Sequence, residues 1–199
     1  MLTFAFKGST MTFQEIKTPE QLMQYLDQHF EYGVIDNDGK KYCDSNSDEF
    51  QIVCNTQWKL RTVEKMLKDC IGHCYDQVEV EREWFTQNGF QVKTFWISAY
   101  QENIENSGFS HTYLIYEDGN SWKLFEHSDY YNKGIHTFSS IEEAVKWQAK
   151  NQIKFAEKCV KLTAHFTTYI KEFNKPPVNI TMQEYLQIID KSKDYELSS

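Results

Sequence analysis

Ser110-His111-Thr112-Tyr113-Leu114-Ile115-Tyr116-Glu117-Asp118-Gly119-Asn120-Ser121-Trp122-Lys123-Leu124-Phe125-Glu126 reads as two strands joined by a tight turn. Asp-Gly between apolar runs is a strong hairpin signal, because a type I′ turn needs positive φ at both central residues. A two-residue loop at Asp118-Gly119 sets His111 directly opposite Glu126. On that register the two Cβ atoms stand roughly 4.5–5.5 Å apart on one face. That face also carries Tyr113, Ile115, Trp122 and Leu124, so the histidine and the carboxylate are half-buried polar groups that need each other. A three-residue loop through Asn120 would turn His111 toward His127 instead.

Upstream lies Gly72-His73-Cys74-Tyr75-Asp76. It opens a helix that runs from Cys74 to Gln87, where Asn88-Gly89 supplies a left-handed stop. A thiol at a helix N-terminus feels the positive end of the macrodipole, which favours thiolate. Gly72 lets the backbone there approach a ligand closely. A cysteine followed in the chain by a histidine and an acid points to nucleophilic chemistry. Asp76, Glu79, Glu81 and Glu83 read as a solvated helix face. Cys70, His73, Cys74 and His127 form a dense metal-like cluster, but the second ligand pair of a zinc site is missing, and no metal is expected.

The rest of the chain frames this pair of elements. Thr18-Pro19 opens a helix, residues 32–50 read as turn and loop, and a short helix spans 62–68. A strand covers 90–97 and a loop 101–109. Ser140-Ile141-Glu142-Glu143 caps a helix reaching about residue 159, and alternation over 160–169 predicts a further strand. Thr181-Met182-Gln183-Glu184 caps the last helix, with a frayed tail from Ser192. Helices first, then an antiparallel sheet with a helix on it, make an α+β fold in one domain over 1–199, with its core in about 30–190. Met11-Thr12-Phe13 resembles a second start, which would make residues 1–10 dispensable.

Composition narrows the function classes. The 199 residues carry 29 acidic and 21 basic side chains, a net charge of −8, with no basic run longer than two, so no nucleic-acid partner is expected. No apolar stretch approaches the ~20 residues of a membrane span, and the first residues do not form a signal peptide. Five cysteines, an odd number at irregular spacing, read as reduced thiols of a cytoplasmic protein.

With Cys74, His111 and Glu126 in this order, the chain resembles the transglutaminase-like superfamily of the papain-like cysteine fold. Gly72-His73-Cys74, Ser110-His111-Thr112 and Trp122-Lys123-Leu124-Phe125-Glu126 carry the resemblance. Cys74 to Phe85 and Glu126-His127-Ser128 with Lys133-Gly134-Ile135-His136 are similar to a small bacterial branch of it. The resemblance implies a nucleophile helix packed on an antiparallel sheet, and a Cys-His-Glu triad without a cofactor. The superfamily's acid is usually Asp; Glu126 is one methylene longer. The implied activity is acyl transfer from an amide, ending in hydrolysis, deamidation or transamidation, on a peptide, protein or small amide. Gly72 and Tyr75 flank the nucleophile as substrate-binding candidates, and Gln57 and Trp58 are candidates for a second oxyanion donor. A non-catalytic peptide- or protein-binding module on the same fold is the alternative.

Overall fold

The computed structural model describes residues 12–101, 108–160 and 165–197. Among them are six α-helices: α1 (Pro19–His29), α2 (Asp48–Thr56), α3 (Val63–Asp69), α4 (Cys74–Gln87), α5 (Ile141–Val160) and α6 (Met182–Asp190). A two-stranded ribbon joins β1 (Val34–Ile35) to β2 (Lys41–Tyr42). The main sheet has six antiparallel strands in the order β6 (Gly134–Phe138), β5 (Ser121–Glu126), β4 (Phe109–Asp118), β3 (Val92–Tyr100), β7 (Thr167–Phe173), β8 (Lys193–Asp194). The class is α+β, as the order of elements predicts.

The sheet separates two cores. On one face Leu114, Tyr116, Phe125 and Phe173 pack with α4 and the helices around it, through Leu22, Leu26, Phe50, Trp58, Met66 and Tyr185. On the other, Phe95, Ile97, Tyr113, Ile115, Leu124 and Ile170 meet Ala144, Val145 and Ala149 of α5. The alternation along β4 puts odd and even residues in different cores.

Four expectations need correction. Residues 48–50, the end of the expected loop, instead open a helix that runs to Thr56: Ser47 caps α2 by accepting a hydrogen bond from the Phe50 N–H, and Phe50, Val53 and Cys54 form its buried stripe. The strand expected over 160–169 begins only at Thr167, with Val160 still in α5; Leu162 and Ala164 lie outside the described residues. Lys193 and Asp194 are not frayed but pair with Glu172 and Lys171. Asp76, Glu79 and Glu81 do not face water. The sheet, α3 and the neighbouring helices enclose α4, and of the four acids only Glu83 keeps part of its surface in solvent. The expectation about residues 1–10 lies outside the described residues.

A central helix with internal carboxylates must pair or neutralise them. Asp76 is paired, as described below, and Glu79 meets Arg82 at 3.1 Å. Glu81 is neutralised instead: burial, then the nearby Glu126 charge, pushes its carboxyl well above the usual range. A folded-state pKa raised above the unfolded value contributes stability that is full below pH ~4.5 and is lost as pH rises. Glu81→Gln keeps a neutral side chain at every pH. It is expected to match the wild type near pH 4 and to exceed it by about 1 kcal/mol or more at pH 7–8, read from urea midpoints at the two pH values.

Candidate active site

The hairpin turns one residue later than its sequence indicates. Asp118 pairs with Ser121 and Leu114 with Phe125, so the loop is Gly119-Asn120, with Gly119 alone at positive φ (63°). Single positive φ at the first loop position defines a type II′ turn, whose twist suits a hairpin as well as type I′ does. The register therefore differs by two from the expected one. Two is the side-chain period of a strand, so His111 and Glu126 stay on one face but become diagonal instead of opposite neighbours. The extra methylene of glutamate spans the diagonal. His111 Nε2–H donates to Glu126 Oε2 at 2.7 Å, and His127 takes no part in that bond. Glu126 Oε1 accepts from the Asp129 N–H at 2.8 Å and the Ser128 hydroxyl at 3.3 Å, which fixes the carboxylate at both oxygens.

The β4–β5 ladder ends at Leu114 and Phe125, so the first half of β4 pairs with β3 alone. Cys74 meets β4 there. The His111 ring and the Thr112 N–H lie close enough to Cys74 to lower its thiol. With Nε2 held by Glu126, Nδ1 is the His111 nitrogen left for the thiol. Burial alone would push the Cys74 thiol up; the hydrogen bond and charge of His111, the charge of His73 and the Thr112 N–H outweigh it, and the thiol lies below its usual range. Burial would likewise push His111 down, but the Glu126 carboxylate and Cys74 hold it well above 6.5. The two shifts run in the directions that favour proton transfer from Cys74, the first residue of α4 and 6 % exposed, to His111.

A second polar cluster supports the helix start. His73 is the N-cap of α4, and Asp76, at N3, closes a capping box with it. The His73 Nδ1–H donates to Asp76 Oδ2 at 2.8 Å, Trp58 Nε1–H donates to the same oxygen at 3.0 Å, and Arg61 lies 3.5 Å from Oδ1. Arg61 also bonds Asp69 and the Ile71 carbonyl, tying down the turn that leads into Cys74.

The flanking candidates have other duties. A Cβ on Gly72 would stand 2.6 Å from Asp76 Cβ, so this glycine makes room for the cap and not for a ligand. Tyr75 is buried: its ring stacks on Tyr185 at 4.8 Å, and its hydroxyl lies between Ser110 Oγ and the Trp96 N–H. Trp58 spends its N–H on Asp76, and Gln57 uses its carbonyl oxygen to accept from the Asn37 N–H. Trp58 is therefore not available as the second oxyanion donor, while the bond to Asn37 leaves the Gln57 amide N–H groups unengaged. The four suggested zinc ligands do not converge: Cys70 donates to Leu67 O, His73 bonds Asp76, His127 bonds Gln77, and Cys74 bonds His111. Among the described residues no cluster of three or more His, Cys, Asp or Glu is arranged to hold a metal ion.

Sequence reasoning missed Tyr32, a neighbour of Cys74 whose phenol burial and that thiol push well above its ordinary range. Its only local signal was an aromatic in a turn-rich segment. The contact depends on pairing between residues 31–33 and 70–72, which no short-range pattern announces.

No protein-family model matches the chain, and no curated protein matches it. Among solved structures it is similar to an arylamine N-acetyltransferase from Bacillus cereus described as having a unique Cys-His-Glu catalytic triad. The identity is 10 %, over 93 % of this chain and 92 % of that one, with a TM-score of 0.34. That likeness is too loose to carry fold or function. Among the described residues no helix is long and apolar enough to cross a membrane.

Proposed function

We propose that this protein is a cysteine-dependent acyl-transfer enzyme of the transglutaminase-like, papain-like type, with Cys74 as nucleophile, His111 as acid–base and Glu126 as the group that orients His111. One observation carries the reading: Glu126 holds the His111 ring by a 2.7 Å hydrogen bond, and that ring neighbours Cys74, the first residue of a helix, closely enough to shift its thiol. The thiolate attacks the carbonyl carbon of an amide or ester, and the carbonyl π pair moves to oxygen. The helix's first N–H groups, which have no intrahelical acceptor, receive that charge at the Cys74 N–H. Collapse breaks the bond to the leaving group, which takes the imidazolium proton of His111 when it is an amine. The acyl-thioester then passes to water or to a second amine, with His111 removing the proton of the attacking group. The steps draw on side chains and backbone alone. The substrate we propose is a peptide, protein or small amide. A reducing compartment such as the cytoplasm suits the five cysteines, all of them free.

The test is selective labelling of the intact protein. Limiting iodoacetamide at pH 6–6.5 is expected to alkylate Cys74 ahead of Cys43, Cys54, Cys70 and Cys159, as mapped by peptide mass spectrometry. Burial holds the exposed thiols Cys43 and Cys159 above the ordinary range, which widens the contrast. Equal labelling across the five would sink the reading in favour of a non-catalytic binding module.

A further inference from the structure

We propose that Gln77 and His127 form a clamp that positions the turn before Cys74 against the strand end carrying Glu126, an inference that rests on the acyl-transfer reading above. His127 follows the acid in the chain but takes no part in holding His111. Gln77 stands on α4, three residues after Cys74. Both side chains are buried. The Gln77 amide is engaged at both ends: its Nε2–H donates to the Gly72 carbonyl at 2.8 Å, and its Oε1 lies 2.6 Å from His127 Nδ1.

The proton positions follow from the acceptor at the end of this line. A carbonyl oxygen only accepts, so Gln77 turns its NH2 to Gly72 and its oxygen to His127. That oxygen only accepts as well, so His127 Nδ1 carries the proton. The line therefore has one direction, from His127 through Gln77 to Gly72. Both of its ends are anchored. The Gly72 N–H donates to Glu31 O at 3.1 Å, and the Gly72 carbonyl also accepts from the Gly33 N–H at 3.3 Å. On the far side of the ring, His127 Nε2 lies 3.2 Å from Asp27 Oδ1 of α1, an oxygen that Lys133 Nζ holds at 2.6 Å.

Covalent bonds join this line to the triad at both ends. Gly72 leads through His73 into Cys74. His127 is bonded to Glu126, whose Oε2 accepts the His111 Nε2–H at 2.7 Å. The strand end needs such a tie, because Glu126 and His127 lie past Phe125, where the β4–β5 ladder stops. The clamp supplies it from α4 itself, so the helix that carries the nucleophile also sets the place of the residue beside the acid. A displacement of about 1 Å between reacting groups can cost 10²-fold in rate. Gln77 and His127 act through Gly72 and Glu126, and so are positioning residues.

The test follows acylation of Cys74 by p-nitrophenyl acetate in the full-length protein, mapped by peptide mass spectrometry. Rates are expressed per folded molecule, with the folded fraction taken from urea titration. His127→Leu removes the donor and is expected to slow acylation by about 10–10²-fold. In His127→Asn the Nδ2–H stands where the Nδ1–H stood, and the rate is expected to stay within a few-fold of wild type. Gln77→Met is expected to match His127→Leu, and the double variant to lose no more than either, since the two side chains act as one unit. Val145→Ala weakens the core on the α5 face, away from the clamp, and is expected to leave the rate per folded molecule unchanged. A His127→Leu rate equal to that of wild type overturns the proposal. So does an equal loss in His127→Asn, which would make the bulk of the ring and not its bond the cause. If His127→Leu does not fold, the nitrogen-15 spectrum of wild-type His127 decides: a protonated Nδ1 supports the clamp, and a bare Nδ1 overturns it. A wild-type protein that p-nitrophenyl acetate does not acylate at Cys74 overturns instead the acyl-transfer reading beneath it.

Discussion

His111→Ala is expected to reduce acylation of Cys74 by p-nitrophenyl acetate by about 10⁴-fold. The His111 hydrogen bond and charge are the largest of the influences that outweigh burial at Cys74. With the imidazole gone, burial dominates and the thiol titrates toward or above its ordinary range near 9.0. The onset of iodoacetamide labelling at Cys74 therefore moves upward in pH in the variant, a shift that a merely structural histidine would not produce. In the wild type the sign is set by two displaced groups. Labelling rises as the lowered Cys74 thiol loses its proton, and the ion pair persists until pH passes the raised value of His111, well above 6.5. Glu126→Gln is expected to give a smaller loss, since the amide oxygen can still accept from Nε2–H but no longer stabilises the imidazolium. Glu126→Ala leaves the buried His111 ring and the Asp129 N–H without their acceptor, and is expected to cost about 1–3 kcal/mol of stability besides. If His111→Ala acylates within tenfold of wild type, His111 is not the base.

The second large effect lies two residues beyond Cys74. Asp76 is fully buried and takes hydrogen bonds from Trp58 and His73, with Arg61 3.5 Å away. Asp76→Ala leaves the buried His73 imidazole and the Trp58 indole N–H without their acceptor, Arg61 keeping Asp69, and is expected to destabilise the fold by about 3–5 kcal/mol. The pH dependence gives the sharper check. Burial would raise the Asp76 carboxyl, but His73, Arg61 and Trp58 together hold it below 3.8, so its contribution is present above that value and is lost as pH falls. Burial would lower His73, but Asp76 and Cys54 hold it well above 6.5, so its contribution is complete below 6.5 and is lost as pH rises through the raised value. The pair therefore supports the fold most between about pH 4 and 6.5. Asp76→Asn should flatten both flanks of that plateau in urea titrations, and a variant as pH-sensitive as wild type would show that the pair is not coupled to folding. Asp76→Asn should also weaken Cys74 labelling near pH 6, because the His73 charge helps lower the thiol.

The nucleophile helix was legible because its boundaries are chemical: Cys74 follows the His73 cap, and Gly89 ends it at φ 81°. The hairpin was legible in parity but not in register. Asp118-Gly119 and Gly119-Asn120 are both good loops, and only packing chooses between them. The His111–Glu126 contact survived because the difference was an even number of residues. The burial of Asp76, Glu79 and Glu81 was hidden. Periodicity reports apolar side chains, and a helix wrapped on all sides whose acids are paired or neutral looks amphipathic in sequence. Tyr32 was hidden for another reason, since its place depends on a ladder between segments about forty residues apart. The α2 helix had a readable start in Ser47-Asp48-Glu49 and a stripe at Phe50, Val53 and Cys54 that the surrounding polar run obscured.

On the acyl-transfer reading, the nucleophile Cys74 stands on α4, and His111 and Glu126 stand on β4 and β5, elements made later in synthesis. A ribosome finishes the cysteine-bearing helix before any of the hairpin exists. Until the sheet closes on that helix, Cys74 is an ordinary thiol of pKa about 8.5, largely protonated in a neutral cell and slow toward electrophiles. Reactivity is thus switched on by the last stage of maturation. Nascent, truncated or partly opened chains then carry a thiol without its base, which makes labelling near pH 6 a measure of how many molecules in a preparation have completed assembly.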